Sequence, residues 1–334
     1  MNFDFTEEQT MLRDSVARFV QDDYEFDTRR AISDSEQGFS PEKWQTFAEL
    51  GWLSIPFDEA HGGFGGSSVD VMLVMEELGK GLVVEPYLAT VLLFGGLLQQ
   101  GASAPLQAEY IPKIIEGGCQ GAFAYLERQS RFELADNKTT AVAQGDAYVL
   151  NGEKVLVFNG ANADQLIVSA RTSGQQSDEQ GISLFLVAAD APGVEKLTCR
   201  MMDGQVVANL VFHDVQVAAE QVVGELDGGY ALIEAVAMEA NLALAAEALG
   251  IMEQLNAKTL EYTRTREQFG VPIGSFQALQ HRMVDTFMAY EQTRSLLYRA
   301  VCAMTDEQED VTTAVHALKV LVERAGKQIF AEAI

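Results

Sequence analysis

Basic residues are scarce in this chain. Lys and Arg number 23 against 49 Asp and Glu, leaving a formal charge of −26 at pH 7. That excess argues against nucleic acid and anionic membranes as partners, because both are polyanions that such a chain repels. A small polyanionic ligand stays possible, since it needs only a local basic site. Cysteine is rare as well. Cys119, Cys199 and Cys302 are odd in number, far apart and in no metal-ligand spacing. They predict reduced thiols in a cytoplasmic protein, and neither a disulfide framework nor a metal site. Long apolar runs are missing, so no membrane span is expected. The opening M-N-F-D-F-T-E-E-Q lacks the basic start and apolar centre of a secretory leader. There is no internal repeat and no low-complexity tract.

What is present suits a large globular chain. Its 334 residues, 48% hydrophobic and 22% charged, can bury a sizeable core. Residues 1–118 read as helical. Thr6-Glu7-Glu8-Gln9 is a capping signal, followed by Leu12, Val16, Phe19 and Val20 on one face. Pro41 starts another helix and Gly51 closes it. Gly62 to Gly66 is a glycine-rich stretch without the G-K-[ST] of a phosphate loop, so it reads as a turn. From Ser68 a helix carries Val71, Val74, Met75 and Leu78, with Glu76-Glu77 expected on its solvated face. Residues 119–226 change period. Ala147 to Leu150, Asn151-Gly152 and Glu153 to Val157 read as a hairpin with Asn-Gly at its tight turn. Leu166 to Val168, Ile182 to Val187 and Leu210 to Phe212 read as further strands, with His213 in a turn at a strand end. Residues 227–334 return to long helices. The chain is thus α+β, with a helical domain 1–118, a small β-barrel-like domain 119–226 and a helical bundle 227–334.

One stretch draws the chemistry together. Leu242, Ala245, Leu249 and Met252 mark one apolar helix face, and Phe276, Leu279, Met283, Phe287 and Tyr290 mark the next. Gly270, Pro272 and Gly274 break the period between them. A plain helix hairpin needs no arginine or glutamine at its tip, yet Arg266, Gln268, Gln277 and Gln280 stand there among Phe269 and Phe276. Arg offers a planar fork of donors to a phosphate, and aromatics can cover a flat ring. Without further context such a tip is an ordinary solvated turn.

The run R-E-Q-F-G-V-P-I-G-S-F-Q-A-L-Q-H resembles the signature R-x-Q-F-G-x-P-I-x-x-F-Q-x-x-Q of the acyl-CoA dehydrogenase family. F-T-E-E-Q, L-G-W-L and G-G-x-G-G-S resemble that family's N-terminal helical domain, so the likeness spans the chain. It implies FAD as cofactor, an acyl-CoA substrate, an electron-transfer flavoprotein as electron acceptor, and an oligomer. Arg266 would meet the pyrophosphate of a neighbouring subunit's FAD, and Phe269, Phe276, Gln277 and Gln280 its adenosine end. The helical pattern is unfinished at Gly326 to Ile334, where family members continue with further flavin contacts and, in many, the catalytic carboxylate.

The departures are as informative. The flavin-facing phrase T-E-P-x-A-G-S-D becomes Leu126-Glu127-Arg128-Gln129-Ser130-Arg131-Phe132-Glu133, keeping Glu127 but losing the Thr and the Gly-Ser pair. The phrase K-x-W-I-[TS]-N becomes Lys154-Val155-Leu156-Val157-Phe158-Asn159, with Phe158 in place of a hydroxyl. The resemblance puts Glu127, Val157 and Phe158 beside the flavin, and Ser130 and Arg131 in reach of a substrate phosphate or carboxylate. Ala240 occupies the helix position where some members carry the base, and Glu239 beside it is the candidate. One residue turns a helical side chain by about 100°. The losses most resemble the branch of the pimeloyl-CoA dehydrogenase small subunit and of paired steroid side-chain dehydrogenases. Two readings follow: an FAD-dependent α,β-dehydrogenase of acyl-CoA thioesters, or a partner subunit without its own base.

Overall fold

Thr6 opens the first helix as its sequence predicts. Its Oγ1 accepts from the Gln9 backbone N–H while Gln9 Oε1 accepts from the Thr6 N–H, both at 3.1 Å. This reciprocal cap satisfies two otherwise orphaned donors. The computed structural model describes residues 4–305 and 310–334; the first three residues of the stretch read for a leader lie outside them. The helices are α1 (Glu7–Asp23), α2 (Phe26–Asp34), α3 (Pro41–Glu49), α4 (Ser68–Lys80), α5 (Gly95–Gly101), α6 (Ala104–Ile115), α7 (Gly229–Thr265), α8 (Gln277–Thr305) and α9 (Val311–Ala333). The strands are β1 (Gly121–Ala124), β2 (Thr140–Gln144), β3 (Ala147–Phe158), β4 (Gln165–Arg171), β5 (Ile182–Ala188), β6 (Val194–Arg200), β7 (Val206–Ala218) and β8 (Val222–Val223), with a short pair, β9 (Glu267–Gln268) and β10 (Val271–Pro272). Ser40 caps α3 through the Lys43 N–H, Pro41 takes its first turn, and Gly51 leaves it at φ +77°.

Contacts gather the chain into two compact units that cut across the sequence blocks. One holds residues up to Arg29, Ser68–Val83 and Asn241–Ile334. In it α1 packs on α4 and α8 on α9. α4 also meets α7 at a pair of glycines. A Cβ on Gly79 would lie 2.1 Å from the Glu247 carbonyl oxygen, and one on Gly250 would lie 1.9 Å from that of Glu76. Only glycine permits backbones this close. One 18-residue window of α7 is apolar enough by hydropathy to cross a membrane, and half of it is buried within the protein.

The other unit holds Arg30–Ser67 and Val84–Ala240. Its sheet runs β6-β7-β3-β2-β4-β5-β8, with β1 added parallel to β4, and this path ends at β6 and β8 without closing on itself. Leu150, Leu166, Val168, Phe185, Leu210 and Phe212 are among the buried side chains of its core.

Three sequence readings need correction. Asn151-Gly152 is no turn. β3 runs straight through it for 12 residues, and the turn falls at Gly145-Asp146, where Gln144 pairs with Ala147. The Asn-Gly pair instead makes a bulge against β7, its Asn151 side chain exchanging hydrogen bonds with Asp214 at 2.9 and 3.0 Å. Two long strand neighbours outweigh a local turn signal. His213 accordingly stands inside β7. The third is the Glu76-Glu77 pair, which is not solvated. Glu77 is 5% exposed and bonds Lys80 Nζ at 2.8 Å, which also meets Glu253 at 3.1 Å. Burial pushes the half-buried Glu76 carboxyl up to about 7; Lys80 draws it down, while Glu253 and Glu77 add to the rise.

Candidate functional site

The tip grows directly out of α7. The Arg266 N–H donates to the Tyr262 carbonyl, and the Ile273 N–H returns to the Arg266 carbonyl, both at 2.8 Å. Between them β9 and β10 pair with Gln268 opposite Val271, leaving Phe269 and Gly270 as the turn. Both sit at positive φ, +56° and +79°, the mark of a type I′ turn. Glycine adopts that conformation freely, whereas a bulky Phe is strained in it. Phe269 is nonetheless 93% exposed, and its ring meets Phe276 edge to face at 6.2 Å. Gln280 Nε2 donates to the Gly274 carbonyl at 3.0 Å and Ser275 Oγ to the Pro272 carbonyl at 2.7 Å. The amide of Gln280 therefore braces the turn while the residue stays exposed. Arg266 and Gln277 are exposed, and Gln277 begins α8. A helix start presents free N–H groups and the positive dipole end to an anion. At the foot of the tip lies a groove of about 680 Å³, lined by Thr263, Arg264, Gly274, Met283 and Phe287 among others.

In the other unit, Glu127 turns inward. It is 4% exposed, and four donors surround its carboxylate. Lys154 Nζ at 2.8 Å and the Thr139 N–H at 3.0 Å reach Oε1; Gln129 Nε2 at 2.7 Å and the Lys138 N–H at 2.8 Å reach Oε2. Burial opposes ionisation, but Lys154 and these hydrogen bonds outweigh it and hold the carboxyl at about 2. Lys154 is wholly buried, and burial draws its ammonium down to about 8 against the pull of Glu127. All four of these hydrogen bonds to the Glu127 carboxylate are thus made within the protein. Val157 likewise packs into the sheet core at 2% exposed, while Phe158 is half-buried. Ser130 Oγ accepts from the Glu127 N–H and donates to its carbonyl, both at 3.0 Å, so its hydroxyl closes a turn. Arg131, at φ +49°, and Phe132, 99% exposed, are what the loop presents outward.

Glu239 lies on α7 with both carboxylate oxygens 3.1 Å from Gln100 Nε2. The residue keeps exposed surface, yet the protein crowding its carboxyl raises the pKa, partly opposed by Gln100. Ala240 is 6% exposed and faces inward. The helix position named by the resemblance therefore carries no carboxylate.

Two residues escaped the sequence reading. For Lys154 the signal is a lysine set among apolar strand residues, which calls for a buried partner. Arg171 closes the apolar strand L-I-V-S-A-R, 7% exposed, and donates to the carbonyls of Ala135, Gln176, Asp178 and Gln180 at 2.8–2.9 Å. Nothing in its local sequence signals that role.

A diphosphate with flat rings at its ends fits the tip: a guanidinium, a helix start and two ring faces project from it, and nothing lies within 4 Å of a Cβ built on Gly270. The comparisons point the same way. Residues 6–118, 122–215 and 227–334 match the N-terminal, middle and C-terminal domain models of acyl-CoA dehydrogenase. The chain is 30% identical over 308 residues to the probable acyl-CoA dehydrogenase YngJ of Bacillus subtilis, covering 90% of this chain and 80% of that one. The FAD complex of PigA superposes with a TM-score of 0.93 at 27% identity, over 100% of this chain and 88% of that one. The ChsE4–ChsE5 complex of Mycobacterium tuberculosis does so at 0.89 and 28%, over 100% and 87%.

Proposed function

The chain belongs to the acyl-CoA dehydrogenase family of FAD-dependent oxidoreductases, and from that premise we propose that it takes part in the α,β-dehydrogenation of an acyl-CoA thioester to the trans-2-enoyl thioester. The carrying observation is the tip. A strained, 93% exposed phenylalanine stands between an exposed arginine at the end of α7 and the start of α8, and its ring meets only that of Phe276 among the aromatic pairs of the described residues. In this reading Arg266 and the first N–H groups of α8 hold the cofactor's diphosphate, while Phe269, Phe276 and Gln277 cover its adenosine end. FAD, when bound, supplies the acceptor for the β hydride, and electrons leave to an electron-transfer flavoprotein. The α proton needs a positioned carboxylate. Glu239 is the candidate on α7, with its raised pKa and its Gln100 partner. The odd number and wide spacing of the three cysteines favour a reducing, cytoplasmic setting in this reading.

A second reading is favoured by two specific observations. Ala240 is buried where a base is expected, and Glu127 is withdrawn into an ion pair. In that reading the chain is one subunit of a heteromer, lending the tip to a flavin held mainly by another chain and leaving the base to its partner. The similarity to ChsE4–ChsE5, a complex of two chains, supports it. Visible absorption separates the two. A flavin spectrum from the chain purified alone supports the self-sufficient dehydrogenase. A colourless chain that turns yellow only when co-expressed with a second dehydrogenase-like chain supports the heteromer.

A further inference from the structure

Two irregular segments meet at one buried charge. The first is the loop from Tyr125 to Thr139, which carries Arg131 in the left-handed region. The second is the far half of β3, where pairing with β7 slips between Lys154 and Val157. There Leu156, at φ +50°, gives its N–H to Asn209 Oδ1 at 3.0 Å, and Asn159 follows at φ +57°. Side-chain-bearing residues hold such backbone only when their surroundings impose it. Lys154 stands at the junction. Its ammonium, wholly buried, reaches Glu127 Oε1 at 2.8 Å, Ser169 Oγ at 3.0 Å, and Asn137 Oδ1 and the Tyr125 carbonyl at 3.2 Å. Glu127 then fixes the Lys138 and Thr139 N–H groups, and the Leu126 carbonyl accepts from the Val155 N–H at 2.8 Å. Loop and bulge are thus tied together through one ion pair and its hydrogen bonds.

Stability does not explain this arrangement. Removing two charges from water costs about as much as their attraction returns, and apolar pairs of similar volume commonly fold as well. What an apolar pair lacks is direction: it cannot hold two N–H groups and a carbonyl at set positions. We propose that Lys154 and Glu127 are positioning residues, which hold the loop 126–139 and the bulge 155–159 in the relative placement that receives the cofactor's ring. This rests on the FAD-dependent reading above; neither side chain touches the reacting atoms.

The test uses the full chain, with its co-expressed partner if that is needed for colour. Lys154→Met alone strands a buried carboxylate and can fail to fold. The double variant Lys154→Met/Glu127→Leu removes both charges together. We expect it to unfold cooperatively but at a lower temperature than the wild type, because the Lys138 and Thr139 N–H groups and the Tyr125 carbonyl lose their partners. Amide exchange at 126–139 in the cofactor-free chain should speed up by about tenfold, and FAD affinity should fall by about tenfold. The visible circular dichroism of the bound flavin should change as well. Unchanged exchange and unchanged flavin dichroism in a folded double variant overturn the proposal. A wild-type chain that stays colourless with and without a partner overturns the functional reading instead. The exchange measurement does not need the cofactor, so the two failures are told apart.

Discussion

A carboxyl pushed up by burial makes stability depend on pH in a direction that can be worked out. Glu76 has a folded pKa of about 7 against an ordinary 4.5. Between those values the folded chain keeps a proton that the unfolded chain gives up. Its contribution is therefore full below the ordinary value and is lost as pH rises through about 7. The groups around it are Lys80 and Glu77 on its own helix, Glu253 on α7 and Arg294 on α8. Glu76→Gln removes the titration, so the variant should melt higher than wild type at pH 8, by about 1–2 kcal/mol of stability. Near pH 5 the two should melt alike. Thermal unfolding across that range checks this, and parallel curves for the two proteins would sink it. The sequence did not reveal Glu76. Two adjacent glutamates on a helix look solvated, and it is the packing of α1, α7 and α8 against α4 that brings other chain segments over them. The hidden lysine at 154 has the same lesson: its partner lies 27 residues away in sequence.

Elements were legible where their signals are local. The Thr6 cap, the Pro41 start and the Gly51 stop need only neighbours in the chain, and each stands as read. Asn151-Gly152 shows where local reading ends, because β2 and β7 on either side of β3 decide its conformation. The tip lies between these cases. The break between two helices was readable from Gly270, Pro272 and Gly274, but the strand pair inside it was not, since two residues per strand leave no alternation. That geometry makes Phe269 a test of its own. At φ +56° glycine relieves strain, so Phe269→Gly should leave the melting temperature unchanged or slightly raised. The same change removes an exposed ring, and flavin retention through gel filtration should drop. Arg266→Met should weaken FAD binding by about tenfold to a hundredfold without altering the melting curve. Full flavin retention in both variants would remove the tip from the cofactor site. Gly250→Ala is the contrasting case. Its Cβ would meet the Glu76 carbonyl at 1.9 Å, a backbone atom that cannot step aside. The α4–α7 crossing should open at a cost of about 3 kcal/mol or more, read as a lower melting temperature.

At the scale of the whole molecule, charge and apolar surface pull in opposite directions. On α7 and α8, Leu260, Val284, Phe287 and Met288 are 39%, 53%, 58% and 48% exposed. Contiguous apolar surface of this kind is what chains cover by assembling. Each chain also carries a net charge of −26, so two copies repel as they approach. Repulsion between exposed charges is screened as the Debye length shrinks from about 30 Å at 0.01 M salt to about 8 Å at 0.15 M. Apolar burial does not weaken over that range. Raising salt should therefore strengthen assembly, the reverse of what an interface built on ion pairs would do. Sedimentation velocity of the wild type should show a species larger than one chain, its dissociation moving to lower protein concentration as salt rises. Phe287→Glu adds a charge to the apolar face and should shift the same experiment toward single chains at every salt concentration. A wild-type chain that sediments as a single copy throughout would mean that this face is covered by a different chain. Co-expression, already needed for the flavin spectrum, would then show whether the yellow species and the larger species are the same.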